Sequence, residues 1–229
     1  AREACGNTVR NVTGSAIAGI DADELFDVAP YAQAAFEFFL RNPLCQDMAR
    51  KVKIAFSSSD KDSAYTFLHD FGFVPRIKDG ARGFRVVVGG GLGAQSMLAH
   101  HVYDFLHEDL IIPFMEAALR VFDRYGERTR RNKARMKYLI KDIGLEKFLE
   151  LVEIERKANK VQRLKIDTTK IVVAVPDHNN IAPQVEIENQ KRYEDWLKTN
   201  VSEQKQKGYY AVALKVTKGD IKPDEARTI

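Results

Sequence analysis

Two lysines in one short segment have a type and a spacing that suit a chemical role. Lys51 and Lys53 stand two positions apart in ARKVKIAF, so a β-strand would send both to one face. Val52, Ile54 and Phe56 would then point to the other face and into the core. One exposed lysine commonly protects a sheet edge. Two aligned lysines favour an anion site, because partly buried cations need a negative partner.

Two other segments add cations to the same prediction. In the predicted strand TVRNV, Arg10 projects from one face. In RYGERTRRNKARMKYLIK we expect a helix, on which Arg128, Arg131 and Arg135 share a face. Such a basic segment is usually a solvated charged surface, and it can also bind nucleic acid or a small polyanion. Two strands and a helix that all present aligned cations favour the polyanion.

A glycine-rich segment offers a competing chemistry. Gly89, Gly91 and Ala94 satisfy the dinucleotide pattern G-x-G-x-x-A after the strand FRVVV, and Glu108 and Asp109 lie where a ribose-binding acid is expected. The next predicted element is a long helix rather than the second strand of a βαβ unit. We therefore prefer a glycine bend that lets a flat ligand approach the backbone.

The elements that must position these residues can be predicted from periodicity. YAQAAFEFFLRN has the apolar spacing of an amphipathic helix, and Asp79 and Gly80 indicate a turn between two strands. KRYEDWLK predicts a polar helix between the strands KIVVAVPD and YYAVALKV, and Pro223 predicts the start of another helix. Further helices are predicted over residues 112–125, 127–143 and 145–157.

Composition limits the remaining possibilities. The chain has 229 residues and a formal net charge of +4, so any electrostatic function must come from local clustering. Two cysteines, Cys5 and Cys45, fit a reducing compartment, which predicts a cytoplasmic protein. His69, His100 and His101 show no metal-ligand spacing, and no apolar run suggests a membrane span. Because the sequence begins without methionine, we expect a piece of a longer protein.

Five segments together resemble a known family. In order, CGNTVRNVTG, ARKVKIAFS, HDFGFV, GFRVVVGGGLG and GERTRRNKARMKYLIKDIGLEKF are similar to the sirohaem-dependent sulfite and nitrite reductases, over Ala1 to about Val152. The resemblance implies an α+β fold, a mixed and largely antiparallel sheet covered by helices. It implies a sirohaem-binding domain over 1–158, a connecting segment over 159–206, and the start of a second ferredoxin-like half over 207–229.

The resemblance also assigns roles to the cations. Arg10, Lys51 and Lys53 match the family's substrate-side cations and are the expected catalytic residues. Arg10 would anchor the anion, and the two lysines would deliver protons. The same three residues also belong to the expected cofactor-binding set, whose other members are Arg50, Gly90, Gly91, Arg131 and Arg135.

The expected activity is the six-electron reduction of sulfite to sulfide by an assimilatory enzyme. Lys53 favours sulfite, because plant-type nitrite reductases tend to have asparagine there, and nitrite reduction to ammonia is the alternative. The family also holds a [4Fe-4S] cluster through four cysteines, none of which Cys5 or Cys45 matches, so we expect this chain alone to hold no metal and to be inactive.

The expected partners are sulfite or nitrite and an electron donor, ferredoxin or a flavoprotein, with no nucleic acid and no membrane. A dinucleotide-binding domain and a nucleic-acid-binding module over Arg128 to Lys137 are the rival functions.

Overall fold

The computed structural model describes residues 6–93, 95–169, 171, 186–216 and 219–228. The chain divides into two compact units, Ala1–Val173 and Ala174–Ile229. The first unit carries every predicted site residue. In the described residues no helix combines the length and the apolar character needed to cross a membrane.

The first unit is built on a five-stranded sheet whose strands follow one another in chain order. The first three strands run parallel, and the third, fourth and fifth pair antiparallel in longer ladders. This confirms the predicted α+β class and the mixed sheet. The strands are β1 (Val9–Gly14), β2 (Val52–Phe56), β3 (Phe71–Lys78), β4 (Ala81–Val88) and β5 (His100–His107).

The hairpin between β3 and β4 forms as predicted. Asp79 and Gly80 both have positive φ, 51° and 77°. A two-residue turn of that kind matches the twist of the flanking strands. The hairpin aligns Lys78 with Ala81 at the turn and Phe71 with Val88 at its open end.

Four helices belong to this unit, and α2 has the largest number of buried residues among them. Eleven of its fifteen residues are buried, from Ile111 to Phe122, and Gly126 caps its end as predicted. On the sheet, Phe56 and Phe73 stack with ring centroids 4.8 Å apart, and Phe84 meets both edge-on. The helices are α1 (Ala29–Phe39), α2 (Ile111–Tyr125), α3 (Met136–Ile143) and α4 (Leu145–Ala158).

The prediction of a helix over residues 127–143 is wrong for the first half of that range. Residues 126–135 form a loop with one short 3-10 turn, Arg131–Lys133, and α3 begins only at Met136. The physical reason is the Glu127 carboxylate, which accepts the backbone N–H groups of Thr129 and Arg130 at 2.8 and 3.1 Å. This local turn replaces the first turn of the expected helix, so the arginines of this segment do not share a helix face.

The element after the glycine bend was also predicted wrongly. A strand, β5, precedes the long helix α2, and it returns along β4 in antiparallel register. The two residues His100 and His101 stand at the start of this strand and are exposed. Because β4 and β5 are antiparallel neighbours without an intervening helix, the glycine bend is not part of a βαβ unit.

The second unit is small. The predicted helix KRYEDWLK and the helix start at Pro223 are confirmed, whereas the strand in YYAVALKV is only three residues long. The strand predicted over KIVVAVPD lies outside the described residues, apart from Ile171, which belongs to no regular element. The unit contains α5 (Gln190–Asn200), β6 (Val201–Glu203), β7 (Tyr210–Val212) and α6 (Pro223–Thr228), with β6 and β7 antiparallel.

Candidate functional site

A cavity of about 520 Å³ in the first unit brings together five of the predicted cations. They come from the start of β2 and from the loop before α3, two parts of the chain about eighty residues apart. The rest of the wall is formed by aromatic and aliphatic side chains and by the polar side chains of His69, Asn132 and Lys137. The cations are Arg50, Lys51, Lys53, Arg131 and Arg135, and the other lining residues are Tyr65, Leu68, His69, Leu92, Gly93, Asn132, Lys137 and Tyr138.

The strand wall of the cavity, defined as Arg50, Lys51 and Lys53, follows from the alternation of β2. Val52 and Ile54 are fully buried on the core side, so the lysines on either side of Val52 face the cavity. We find no carboxylate within salt-bridge distance of these three cations in the described chain. The Arg50 guanidinium has a weak amide contact, 3.4 Å from Nη1 to Asn7 Oδ1.

The electrostatics of the strand wall reflect this crowding of positive charge. Burial lowers the pKa of Lys51, and Arg10, Arg135, Lys53 and Arg50 lower it further. Burial likewise lowers the pKa of Arg50, assisted by Arg131, Arg10 and Arg135. Lys51 can therefore give up its proton more easily than an ordinary lysine, whereas arginine stays charged.

The helix wall, defined as Arg135 and Lys137, is different, because its cations have protein partners. Arg135 is the N-cap residue of α3, and its Nε and Nη2 donate to Asp70 Oδ1 and Oδ2 at 3.2 and 2.7 Å. Asp70 Oδ2 also accepts the Lys53 backbone N–H at 2.8 Å. Burial raises the pKa of Asp70, and Arg135 opposes the rise. The two-pronged ion pair requires the carboxylate form.

Lys137 fixes the loop that follows the glycine bend. Its side chain is almost fully buried, and Nζ donates to the carbonyl oxygens of Gly91 and Leu92 at 3.2 Å each, and to that of Gln95. Burial lowers the pKa of Lys137, and Arg135 lowers it further. Leu92 and Gly93 belong to the cavity wall, so this lysine determines where that wall lies.

The two predicted glycines do not line the cavity. A Cβ at Gly90 would lie 2.4 Å from the Phe67 carbonyl oxygen and 2.8 Å from that of His69, so glycine is required there by the neighbouring backbone. A Cβ at Gly91 would lie 3.1 Å from Nη2 of Arg135. Both glycines thus permit close approach between protein groups, and contact with a ligand stays a prediction.

Arg10 lies beside the cavity rather than in its wall. The pairing of β1 with β2 skips this residue, from Val9 opposite Val52 to Asn11 opposite Lys53. Such a bulge redirects a side chain. Nη2 of Arg10 donates to the Gly6 carbonyl at 3.0 Å, and its buried Nε has no partner among the described residues.

Asp70 and Lys137 are important residues that the sequence pattern did not single out. The available signal was weak: an aspartate directly before a buried strand, and a lysine on the apolar side of α3. Cys45 is the free cysteine in the described part of the chain, and burial raises its pKa to about 12, so it stays a thiol. No cluster of three or more His, Cys, Asp or Glu among the described residues could hold a metal ion.

Comparison with known proteins finds one matching family model and several relatives. The model of the family described as "Nitrite and sulphite reductase 4Fe-4S domain" matches residues 5–160. A sulfite reductase [ferredoxin] of Mycolicibacterium paratuberculosis is 38% identical over 154 residues, 67% of this chain and 27% of that protein. A ferredoxin–nitrite reductase of Leptolyngbya laminosa is 34% identical over 152 residues, 64% of this chain and 30% of that protein. The chain thus spans less than a third of the length of these relatives.

Two solved structures share the fold. The Mycobacterium tuberculosis NirA protein has a TM-score of 0.61 and 32% identity, over 76% of this chain and 32% of that one. Dissimilatory sulfite reductase I has a TM-score of 0.50 and 11% identity, over 83% of this chain and 61% of that one. The second likeness concerns the fold alone.

Proposed function

Because the chain belongs to the nitrite and sulphite reductase family, as its motifs predicted, we propose that it forms the sirohaem- and anion-binding core of an assimilatory sulfite reductase. The observation that carries the proposal is the cavity whose Arg50, Lys51, Lys53 and Arg131 have no carboxylate partner within the described residues. Clustered cations repel one another, so a bound polyanion is the expected complement.

The lining of the cavity fits a large, flat, carboxylate-rich group. Guanidinium and ammonium groups pair with carboxylates, and Tyr65, Leu68, Leu92 and Tyr138 provide apolar and aromatic surface for a ring system. When bound, the iron tetrahydroporphyrin would supply the electrons for the reduction. Arg50, Arg131 and Arg135 would bind its carboxylates.

The residues proposed to bind and protonate the substrate lie in β1 and at the start of β2. Arg10 would orient the oxyanion, since an arginine stays charged throughout. Lys51 and Lys53 would bind its oxygens and deliver protons as they leave as water. The lowered pKa of Lys51 makes its proton easier to transfer at neutral pH.

The choice between sulfite and nitrite rests on Lys53, which favours sulfite. The test is Lys53→Asn in the full-length enzyme, with both ions assayed against the same reduced donor. We expect sulfite reduction to fall at least tenfold while nitrite reduction is better preserved. An equal loss of both would contradict the assignment of Lys53 to sulfite selectivity.

The iron–sulfur cluster of the family is a further part of the proposal. The sequence contains two cysteines, too few for the four thiolates of a [4Fe-4S] cluster, so we propose that the cluster ligands come from elsewhere in the full-length protein and that this chain alone does not turn over. Four iron and four sulfide per chain in the isolated segment would contradict this. The names of the two relatives above make ferredoxin the proposed electron donor, and a cytoplasmic location is proposed with it.

A spectrum and a turnover assay test the whole proposal. We expect the purified full-length protein to show the visible absorption of sirohaem and to oxidise a reduced donor only when sulfite is present. NAD(P)H binding without a chromophore would instead support a dinucleotide domain. RNA affinity that falls steeply with salt would support a nucleic-acid module, although Arg128, Arg130, Arg135 and Lys137 already have partners within the protein.

A further inference from the structure

Asp70 connects the two walls of the cavity. Its side chain is completely buried, and its carboxylate accepts both the Lys53 backbone N–H and the Arg135 guanidinium. It therefore fixes the strand that presents the lysines and the arginine that lies opposite them. A carboxylate buried among several cations is held in its charged form by those contacts.

Gly91 bounds the same guanidinium from another side. A Cβ built at Gly91 would lie 3.1 Å from Nη2, 3.5 Å from Cζ and 3.6 Å from Nη1 of Arg135. Three guanidinium atoms at nearly equal distances mean that the flat group lies across this position. A contact of 3.1 Å is tighter than ordinary packing, so a side chain at residue 91 would shift the guanidinium by a few tenths of an ångström.

One nitrogen of Arg135 remains available for a ligand. Nε and Nη2 both donate to Asp70, whereas Nη1 has no hydrogen-bond acceptor in the part of the chain that the structure describes. Because Arg135 lines the cavity, the free N–H groups of Nη1 can serve an anion there.

We propose that Asp70 and Gly91 are positioning residues that hold the Arg135 guanidinium so that Nη1 binds a carboxylate of the cofactor. Neither of them lines the cavity, so Gly91 acts through Arg135, and Asp70 acts through Arg135 and the backbone of Lys53. The identity of the ligand rests on the proposed function, whereas the positioning of Arg135 does not. Preorganisation of this kind is what a rigid carboxylate-binding site requires.

The first test reads the position of Arg135 without any ligand. In the full-length protein before haem loading, phenylglyoxal modification of each arginine is followed by mass spectrometry. We expect Asp70→Asn to raise the modification rate of Arg135 severalfold and to leave that of Arg120 and Arg156 unchanged. The matched control Asp123→Asn releases the exposed Arg128 instead. An Arg135 that reacts as slowly as in the wild type would overturn the proposal.

The second test reads the consequence for binding. The probe is uroporphyrin, a porphyrin with eight carboxylates, titrated by its fluorescence. We expect Asp70→Asn to weaken binding about tenfold when Arg135 is present, and to have much less effect in an Arg135→Gln background, because an amide oxygen can still accept the Lys53 backbone N–H. A merely structural role would weaken binding equally in both backgrounds, and that result would overturn the proposal.

A glycine variant keeps the proposal testable if Asp70→Asn fails to fold. Gly91→Ala retains both charges and shifts the guanidinium by a few tenths of an ångström from the other side, so it should raise the labelling of Arg135 and weaken uroporphyrin binding by smaller factors than Asp70→Asn. Gly14→Ala is the control, since the nearest atom to its new Cβ lies 4.0 Å away. If Gly91→Ala behaves like the wild type in both measurements, the proposal is wrong. If the wild type itself does not bind uroporphyrin, the proposed function fails, and the labelling of Arg135 still decides its positioning.

Discussion

The strand wall and the helix wall face the same cavity, but their cations are held in opposite ways. Arg135 and Lys137 of the helix wall are engaged by a buried carboxylate and by three carbonyl oxygens. Lys51 and Lys53 of the strand wall have no acidic partner among the described residues. The helix wall therefore contributes to the stability of the fold, whereas the strand wall keeps its charge for a ligand at some cost to stability. Substitutions on the two walls should change stability in opposite directions.

The largest effect is expected from Arg135→Gln. This change leaves Asp70 buried without its ionic partner, which should lower the free energy of unfolding by about 3–5 kcal/mol. Urea unfolding at pH 8 measures it, and the loss should shrink as the pH falls, because burial raises the pKa of the Asp70 carboxyl and a protonated Asp70 needs no ionic partner. Arg130→Gln is the control, since the Arg130 side chain in the pair with Glu127 is 65% exposed, and its loss should change stability far less. Equal losses in the two variants would show that the buried pair of Arg135 with Asp70 stabilises the fold no more than an exposed ion pair does.

A smaller loss is expected from Lys137→Met. The methionine fills similar space but leaves three carbonyl groups without their donor, which should cost about 2 kcal/mol. Urea unfolding again gives the value. Lys141→Met, on the exposed side of the same helix, should leave stability within about 0.5 kcal/mol of the wild type. A Lys137→Met protein as stable as this control would show that the hydrogen bonds from Lys137 do not stabilise the loop after Gly91.

The strand wall should respond with the opposite sign. Lys51→Gln removes one of several mutually repelling charges, so we expect the free energy of unfolding to rise by up to about 0.5 kcal/mol at low salt. The gain should disappear in high salt, which screens the repulsion. Binding of uroporphyrin should weaken in the same variant. A loss of stability on this substitution would mean that Lys51 has a partner in the fold.

The smallest effect concerns pH. The pKa of Lys51 is lower in the folded protein than the ordinary value of 10.5, so the unfolded chain binds more protons between those two values. The contribution of Lys51 to the free energy of unfolding of the wild type therefore rises with pH across that interval. Lys51→Gln lacks this rise, so its stability advantage at pH 8 should shrink by pH 10.5. An advantage that stays constant over this range would contradict the lowered pKa.

The predictable features were those that short stretches of sequence determine. The turn at Asp79 and Gly80 needs only two residues that tolerate positive φ, and the alternation around Val52 and Ile54 is a local property of a strand. The pair of Asp70 with Arg135 joins residues 65 positions apart, so no local pattern contains it. Periodicity alone also missed the turn made by the Glu127 side chain, because it counts residues and ignores competing hydrogen bonds.

The position of Arg10 shows a second limit. Strict alternation along TVRNV predicts the face of each side chain, but the bulge in β1 skips this residue in the pairing with β2. One extra residue changes the direction of the side chain. The position of Arg10 relative to the cavity could therefore be obtained only from the three-dimensional structure.

The contacts of Asp70 also have a consequence for the order of folding. The β3–β4 hairpin closes over two residues, whereas Asp70 must find partners 17 positions earlier and 65 positions later in the chain. Long loops close slowly and at a larger entropic cost. We therefore expect the hairpin to form early and the cavity to be completed only when α3 docks. Ligand affinity would then appear late in refolding, which makes it a sensitive indicator that the whole first unit has reached its native state.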